Sequence, residues 1–431
     1  MKIIDTTDPK QSYGRDRAAL LARPLLDTRS LEMTVANILK EVKENGDEAV
    51  RRFSLQFDKV APESLEVSLR EIEEAGAMIS EELKAAIRQA MRQIEAFHVR
   101  QAEETEIVET APGVRCWRRS VPIEKVGLYI PGGTAPLFST LLMLGIPARI
   151  AGCREIILCS PPDRQGSLHP AILFAAGQVG VTKIFKAGGV QAIAAMAYGT
   201  ASVPRVYKIF GPGNQYVTCA KQLVQKEGIA IDMPAGPSEV ALYADETADA
   251  VFAAADLLSQ AEHGVDSQVV LVSPSRTVLE KILLEIDRQV QELPRAAIAK
   301  EALANSRAFL VKDDREAMDL LNEYAPEHLI LACDHAEALA EQVINAGSVF
   351  IGHFSPESVG DYASGTNHVL PTNGYAKAYS GVSLDSFVKK ITFQQLTREG
   401  IGGIGRAVEL MAEAEGLQAH ANAVKVRRGG K

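Results

Sequence analysis

From Val126 onward the chain alternates short apolar runs with helical stretches, and this rhythm constrains the fold more than any other feature. Runs at 126–130 (VGLYI), 155–160 (EIILCS), 182–186 (TKIFK) and 206–210 (VYKIF) are separated by helical segments near 137–151, 170–179, 190–198 and 214–226. Strands joined through helices of this length imply βαβ units and a parallel sheet. The rhythm resumes after Gly236 with EVALYA, a helix over 247–263, QVVLVS, a helix over 276–292, and then AFLVK, HLILA and SVFIG. Two α/β units are expected, joined at the DMPAGPSE loop of residues 232–239. Ahead of them, Arg29 to Gln101 reads as helical, with apolar residues recurring at three and four, and a short β-like region (EIVET, GVRCWRRSVPI) follows. After Gly352 the chain becomes loop-like and ends in two segments read as helical, SLDSFVKKITFQQLTRE and GRAVELMAEAEGLQAHANAV.

Composition narrows the function. With 431 residues, 46% of them hydrophobic and 23% charged, the chain can bury a large core over two to four domains, and disorder, a fibre and a disulfide scaffold are excluded. The net charge is 46 − 55 = −9 without a basic block, which argues against nucleic acid or an anionic membrane as partner. Five cysteines with no CxxC pair read as reduced thiols, and MKIIDTTDPK lacks the apolar stretch of a signal peptide, so a cytoplasmic protein is expected. Val126 to Ala148 is uncharged and long enough to span a bilayer, but its prolines and glycines break it into strand, loop and short helix. A soluble chain is expected.

Three turns stand at the C-terminal ends of strands in the first unit: PGG at 131–133, GGVQ at 188–191 and GPGN at 211–214. Open α/β sheets bind ligands at such ends, and a helix opening there points N–H groups at an anion. GPGN alone is equally a plain strand–helix turn with Asn214 as cap; the coincidence of three favours a cleft. GIGGIG fits GxGxxG at Gly400, Gly402 and Gly405. A helical pattern precedes it and too little chain follows, so a flexible helix–helix joint is expected instead.

SQAEHG puts Gln260 and His263 three residues apart on one helix face, a spacing that could ligate a metal but is more often solvated. PEHL puts Glu327 and His328 at a strand entry, where a carboxylate beside an imidazole makes an acid–base pair; a solvated surface pair is the commoner outcome. GDYASGTNH carries Asp361 and His368 in a Gly-rich loop, and EGLQAH carries Glu415 and His420 near the C-terminus. His98, His169, His335 and His353 show no partners in sequence, and Cys153 and Cys159 flank a strand as buried thiols rather than nucleophiles.

Taken together, VGLYIPGG, KIFGPGN, DMPAGPSEV, DLLSQAEHG, YAPEHL, SPESVGDYASGTNHVLPT and LQAHANAV resemble the histidinol dehydrogenase family, in order from about residue 24 to 426. The resemblance implies oxidation of L-histidinol through L-histidinal to L-histidine, in the last steps of histidine biosynthesis, with two NAD+ reduced per substrate and one Zn²⁺ per site. Gln260, His263, Asp361 and His420 match the metal ligands, the last reaching the site from the partner of a homodimer. Ser238, Gln260, His263, His328, Asp361, Glu415 and His420 match substrate contacts; Tyr129, Gln191 and Asn214 match NAD+ contacts; Glu327 and His328 match the acid–base pair. The implied fold is α/β, with two incomplete Rossmann-like parallel-sheet domains, a helical N-terminal segment and a small C-terminal helical dimerisation tail. The implied division is an arm over 1–26, a discontinuous domain of 27–125 and 239–380 holding the metal and catalytic residues, an NAD+-side domain of 126–238, and a tail of 381–431. The family's tail is expected to be ordinary helix where this chain has its Gly-rich run at 400–405. Two rival activities share these residues. A zinc-dependent amidohydrolase could use the same ligands and Glu327, but leaves the three strand-end loops without a role. An NAD-dependent dehydrogenase of another amino alcohol or polyol would lose Glu415 and His420, and both are present.

Overall fold

The alternation produces two separate parallel sheets with helices on both faces, in a computed structural model that describes residues 1–7, 19–23, 28–132, 136–234 and 236–429. The first sheet contains β4 (Lys125–Tyr129), β5 (Glu155–Ser160), β6 (Lys183–Lys186), β7 (Lys208–Phe210) and β8 (Ala230–Ile231) in the order β6-β5-β4-β7-β8. Its strands read as unbroken apolar runs because neither face meets water. One face packs Val35, Val42 and Val50 of helix Thr28–Phe57 with Ile193 and Met196 of helix Gly189–Tyr198. The other packs Leu141 and Leu144 of helix Phe138–Ala151 with Ile87 and Ile94 of helix Glu81–Val99. The uncharged stretch from Val126 is thus a strand, a turn and a buried helix. Among the described residues, no helix is long and apolar enough to cross a membrane.

That packing departs from a division that groups 27–125 with 239–380. The helices of residues 28–99 lie on the five-stranded sheet, because their apolar stripes find cover there, at about 25 cal/mol per Å² of apolar surface buried.

The second sheet contains β1 (Lys2–Asp5), β9 (Glu239–Ala244), β10 (Gln268–Ser273), β11 (Arg307–Leu310), β12 (His328–Ala332) and β13 (Ser348–Ile351), in the order β1-β11-β10-β9-β12-β13, all parallel. The expected N-terminal arm therefore begins as an edge strand, paired with β11. The rest of that arm over 8–18 and 24–26 lies outside the described residues. Helices Ala250–Ala261 and Arg276–Gln289 cover one face, and helix Asp314–Tyr324 covers the other.

A third sheet is antiparallel and corrects the reading of the tail as wholly helical. β2 (Ile107–Ala111) and β3 (Val114–Pro122) are joined by β14 (Val388–Leu396), the segment VKKITFQQL. Its charged residues suit a helix, but Val388, Ile391 and Thr392 are β-branched, and Phe393 stacks on its cross-strand partner Trp117 at 5.5 Å. The Gly-rich joint is also corrected. Helix Arg398–Ala414 runs through it unbroken, opened by the Thr397 side chain, which accepts from Gly400 N–H at 3.0 Å. A Cβ on Gly400 would lie 2.2 Å from the Gly113 carbonyl oxygen, and one on Gly405 would lie 2.3 Å from Arg428 Cδ. These two glycines serve close packing, not a hinge.

Candidate active site

The two parallel sheets present opposite edges to a shared cleft. From the five-stranded sheet come the C-terminal strand ends with Pro131, Gly211 and Asn214; from the six-stranded sheet come Ser238, His263 and Glu327 at the N-terminal ends. Together they line a cavity of about 550 Å³. Helix Ala250–Ala261 runs antiparallel to its strands, so its C-terminal end returns to that edge and delivers Gln260 and His263. Glu327 and His328 follow from the turn after helix Asp314–Tyr324, where Ala325 adopts a left-handed φ of 52° and Pro326 prevents continuation. Both side chains are buried, at 6% and 4% exposure, so the surface-pair reading of PEHL is excluded.

His263, Glu357 and Asp361 bring one ligand atom each within 4.8 Å of one another. Glu357 was not singled out from sequence. The signal was present in SPESVGDY: Glu357 and Asp361 stand four apart on helix Glu357–Tyr362, on one face. Gln260 is fully buried against this group. As a purely hydrogen-bonded amide it would donate to Glu357 at 2.6 and 3.2 Å and accept from Glu239 N–H at 3.1 Å. Turned the other way, its oxygen would face the carboxylates, an arrangement that a cation or a protonated Glu357 carboxyl would satisfy. Burial pushes the Glu357 carboxyl well above the usual carboxylate range, with the Asp361 charge pushing further, and pushes Asp361 up to about 7. Oxygen donors and an imidazole crowded in this way form a cation-binding set with mixed N/O character, which the residues present fit.

His328 sits between Glu327 and Asp361. Its Nδ1 lies 3.7 Å from Glu327 Oε2 and 3.3 Å from the Glu239 carbonyl oxygen, while Nε2 lies 3.8 Å from Asp361 Oδ1. Nε2 is buried without a hydrogen-bond partner. Burial lowers the His328 pKa to about 3, with His368 and His263 adding to the effect, so the ring is neutral. Burial likewise drives Glu327 well above the usual range, against the Glu239 N–H that it accepts at 2.9 Å and with the nearby carboxylates reinforcing it. His368 stays outside the metal group: Nδ1 donates to the Asp361 carbonyl at 2.8 Å and Nε2 pairs with Thr140 Oγ1 at 3.0 Å.

The other expected site residues separate into two sets. Tyr129, Gln191 and Asn214 all line a second cavity of about 770 Å³ on the five-stranded side, together with Ile38, Ser160 and Pro161. Tyr129 Oη accepts from Gly189 N–H at 3.0 Å. Gln191 is 1% exposed, and among the described residues neither end of its amide has a hydrogen-bond partner. Asn214 does cap its helix, accepting from Tyr216 and Val217 N–H, and it lines both cavities. At Gly211, φ is 125° and a Cβ would lie 2.0 Å from the Tyr129 carbonyl oxygen, so only glycine fits there. Gly133 of the PGG turn lies outside the described residues. Glu415 and His420, by contrast, line neither cavity; both are exposed on the tail, at the end of helix Arg398–Ala414 and on helix Gln418–Lys425.

Burial pushes Cys153 up to about 12 and raises Cys159 further, which disqualifies both as nucleophiles. His98, His335 and His353 do have partners: the Ile94 carbonyl, Asp314 and Asp334.

A family model described as histidinol dehydrogenase matches residues 21–428. The chain is 62% identical to the histidinol dehydrogenase of Bacteroides thetaiotaomicron, over 95% of this chain and 96% of that one, and 62% identical to that of Bacteroides fragilis, over 99% of each. It superposes on the crystal structure of histidinol dehydrogenase from Elizabethkingia anophelis with a TM-score of 0.96 at 52% identity, covering 99% of this chain and 98% of that one.

Proposed function

The chain belongs to the histidinol dehydrogenase family and is an NAD-dependent oxidoreductase, and from this premise we propose that it converts L-histidinol through L-histidinal to L-histidine, reducing two NAD+ per substrate, with one Zn²⁺ per site. The observation that carries the proposal is the buried, unpartnered Nε2 of a neutral His328 beside the acidic metal-binding group. Gln260, His263 and Asp361 would hold the metal together with His420 of a second copy, and Glu357 is added as a buried carboxylate of the same group. Bound there, zinc would supply open positions for the amine and imidazole nitrogens of histidinol, fixing the alcohol carbon in the cleft.

The chain's own residues then divide the acid–base work. His328 donates Nδ1–H to the Glu239 carbonyl, so Nε2 carries the lone pair and takes the alcohol proton as hydride leaves the carbon. Glu327, which burial makes a stronger base once ionised, takes a proton from the water that attacks the aldehyde carbon. His328 removes the proton of the resulting hydrate as the second hydride leaves. Ser238, Glu415 and His420 complete the substrate contacts. Tyr129, Gln191 and Asn214 hold NAD+ in the larger cavity, whose unpartnered Gln191 amide offers a donor and an acceptor to a carboxamide or phosphate.

We place the protein in the cytoplasm as a homodimer. The exposure of Glu415 and His420, together with Leu410, Met411 and Leu417 on the same tail, supports a tail that crosses to the partner. The test is NADH formed per L-histidinol in limiting supply, with chelator-treated protein before and after Zn²⁺ is restored. Two NADH, only with metal, is expected. One NADH would mean release of the aldehyde, and none with metal bound would overturn the assignment.

A further inference from the structure

We propose that Glu239, clamped by Arg23, is the positioning residue of the acid–base pair, because the backbone of this one residue touches both members. This rests on the roles given above to Glu327 and His328. Glu239 opens β9, the strand between β10 and β12. Its N–H donates to Glu327 Oε2 at 2.9 Å, and its carbonyl faces His328 Nδ1 at 3.3 Å. On the β12 side the strand pairing starts one residue later, at Val240 with His328. The Glu239 N–H precedes that first pair and is taken by the Glu327 side chain instead, while its carbonyl lies beside the His328 ring. Its carbonyl selects the His328 tautomer that leaves Nε2 free, and its N–H fixes which oxygen of Glu327 stays available.

A backbone unit at the end of a ladder is held by what its side chain touches. The Glu239 side chain is 2% exposed and paired with Arg23 Nε at 2.7 Å, and the Asn373 N–H donates to its other oxygen; the Tyr324 hydroxyl donates to Gln268 Oε1 at 2.8 Å. Arg23 is itself locked, 4.0 Å above the Tyr324 ring and donating to the Tyr324 carbonyl at 2.7 Å. Two segments distant in sequence, those of Arg23 and Asn373, thus converge on one carboxylate. A buried ion pair is weak evidence for stability, since its desolvation offsets most of its attraction. Its location behind a residue whose backbone grips both reacting groups gives it a positional use, and a displacement of about 1 Å at such a site can cost on the order of 100-fold in rate.

The experiment compares Arg23→Ala, Arg23→Lys and Glu239→Gln, reading kcat and KM for L-histidinal and L-histidinol oxidation, bound zinc and thermal melting. The expected result for Arg23→Ala is a fall of roughly 10- to 100-fold in kcat per zinc-loaded site, with KM for L-histidinal unchanged. Arg23→Lys recovers most of that loss, and Glu239→Gln lies between. Wild-type kcat per zinc-loaded site in all three, whatever happens to melting, would overturn the proposal and leave the pair a structural clamp. If Arg23→Ala fails to fold, the graded loss in the two conservative variants decides alone. Glu327→Gln is run beside them: if it spares L-histidinal oxidation, the acid–base assignment fails, whereas a selective defect there with normal Arg23 variants removes the positioning role only.

Discussion

The two parallel sheets obey the same folding rules and contribute opposite edges to the site. The five-stranded sheet uses the C-terminal ends of its strands, where glycine turns bring backbone close and leave an apolar-walled cavity of about 770 Å³. The six-stranded sheet uses its N-terminal ends, where Glu239, Glu327, His328 and the returning helix that carries Gln260 bury carboxylates and imidazoles in contact. Ligand binding at C-terminal strand ends is the general tendency of open α/β sheets. The second arrangement needs a helix that ends, and a strand that begins, at the same place. One edge holds a ligand by shape; the other crowds polar groups whose ionisation burial has displaced. Function follows from setting them face to face.

If the chemical edge is completed by a second copy, the sharpest test is complementation. Co-expressed His420→Ala and Glu327→Gln chains, each deficient alone in L-histidinal oxidation, are expected to regain it, because one of the two sites in a mixed dimer then has an intact body and an intact tail. No recovery in purified mixed dimers would confine each site to one chain and break the proposed crossing. Within one body, Glu327→Gln is expected to lower aldehyde oxidation by about 10²- to 10⁴-fold, the range for a general base, while much of the alcohol step survives. The readout is one NADH per histidinol in place of two, and equal loss of both half-reactions would erase the division of labour. On the opposite edge, Gln191→Ala should act on cofactor alone. It removes hydrogen bonds worth about 0.5–1.5 kcal/mol each and so raises the Kd for NAD+ roughly 2- to 10-fold, measured by fluorescence titration, with zinc content unchanged.

The legibility of the two edges in sequence differs for a physical reason. The C-terminal strand ends announce themselves locally, since GGVQ and GPGN are short turns whose glycines are required by backbone approach at Gly211 and by a left-handed φ at Gly189. The chemical edge is assembled from residues spread over about a hundred positions, and no local pattern says that Gln260, Glu327 and Asp361 meet. Family resemblance gathered them, and it passed over Glu357, whose partnership with Asp361 appears only once SPESVGDY is seen as a helix. The alternation from Val126 was readable because both sheets bury both faces. The segment VKKITFQQL was misread because its strand is half exposed and depends on β3, far away in sequence, for its partner.

The same contrast between local and distant constraint decides the Gly-rich run, where the smallest effects are expected. Glycine inside a helix costs about 1 kcal/mol relative to alanine unless something occupies the space of the missing methyl. At Gly402 and Gly403 no atom lies within 4 Å of an added Cβ, so Gly402→Ala should stabilise the protein by up to about 1 kcal/mol. At Gly400 the same change drives a methyl into the Gly113 carbonyl of the β2–β3 turn, and the expected sign reverses, with an overpacking cost of about 1–3 kcal/mol. Thermal melting of the two single variants checks both. Opposite shifts would establish that this helix is seated against the three-stranded sheet through Gly400. A rise in both would mean that the helix stands off the turn, and the tail carrying Glu415 and His420 would then be held less firmly than its packing indicates.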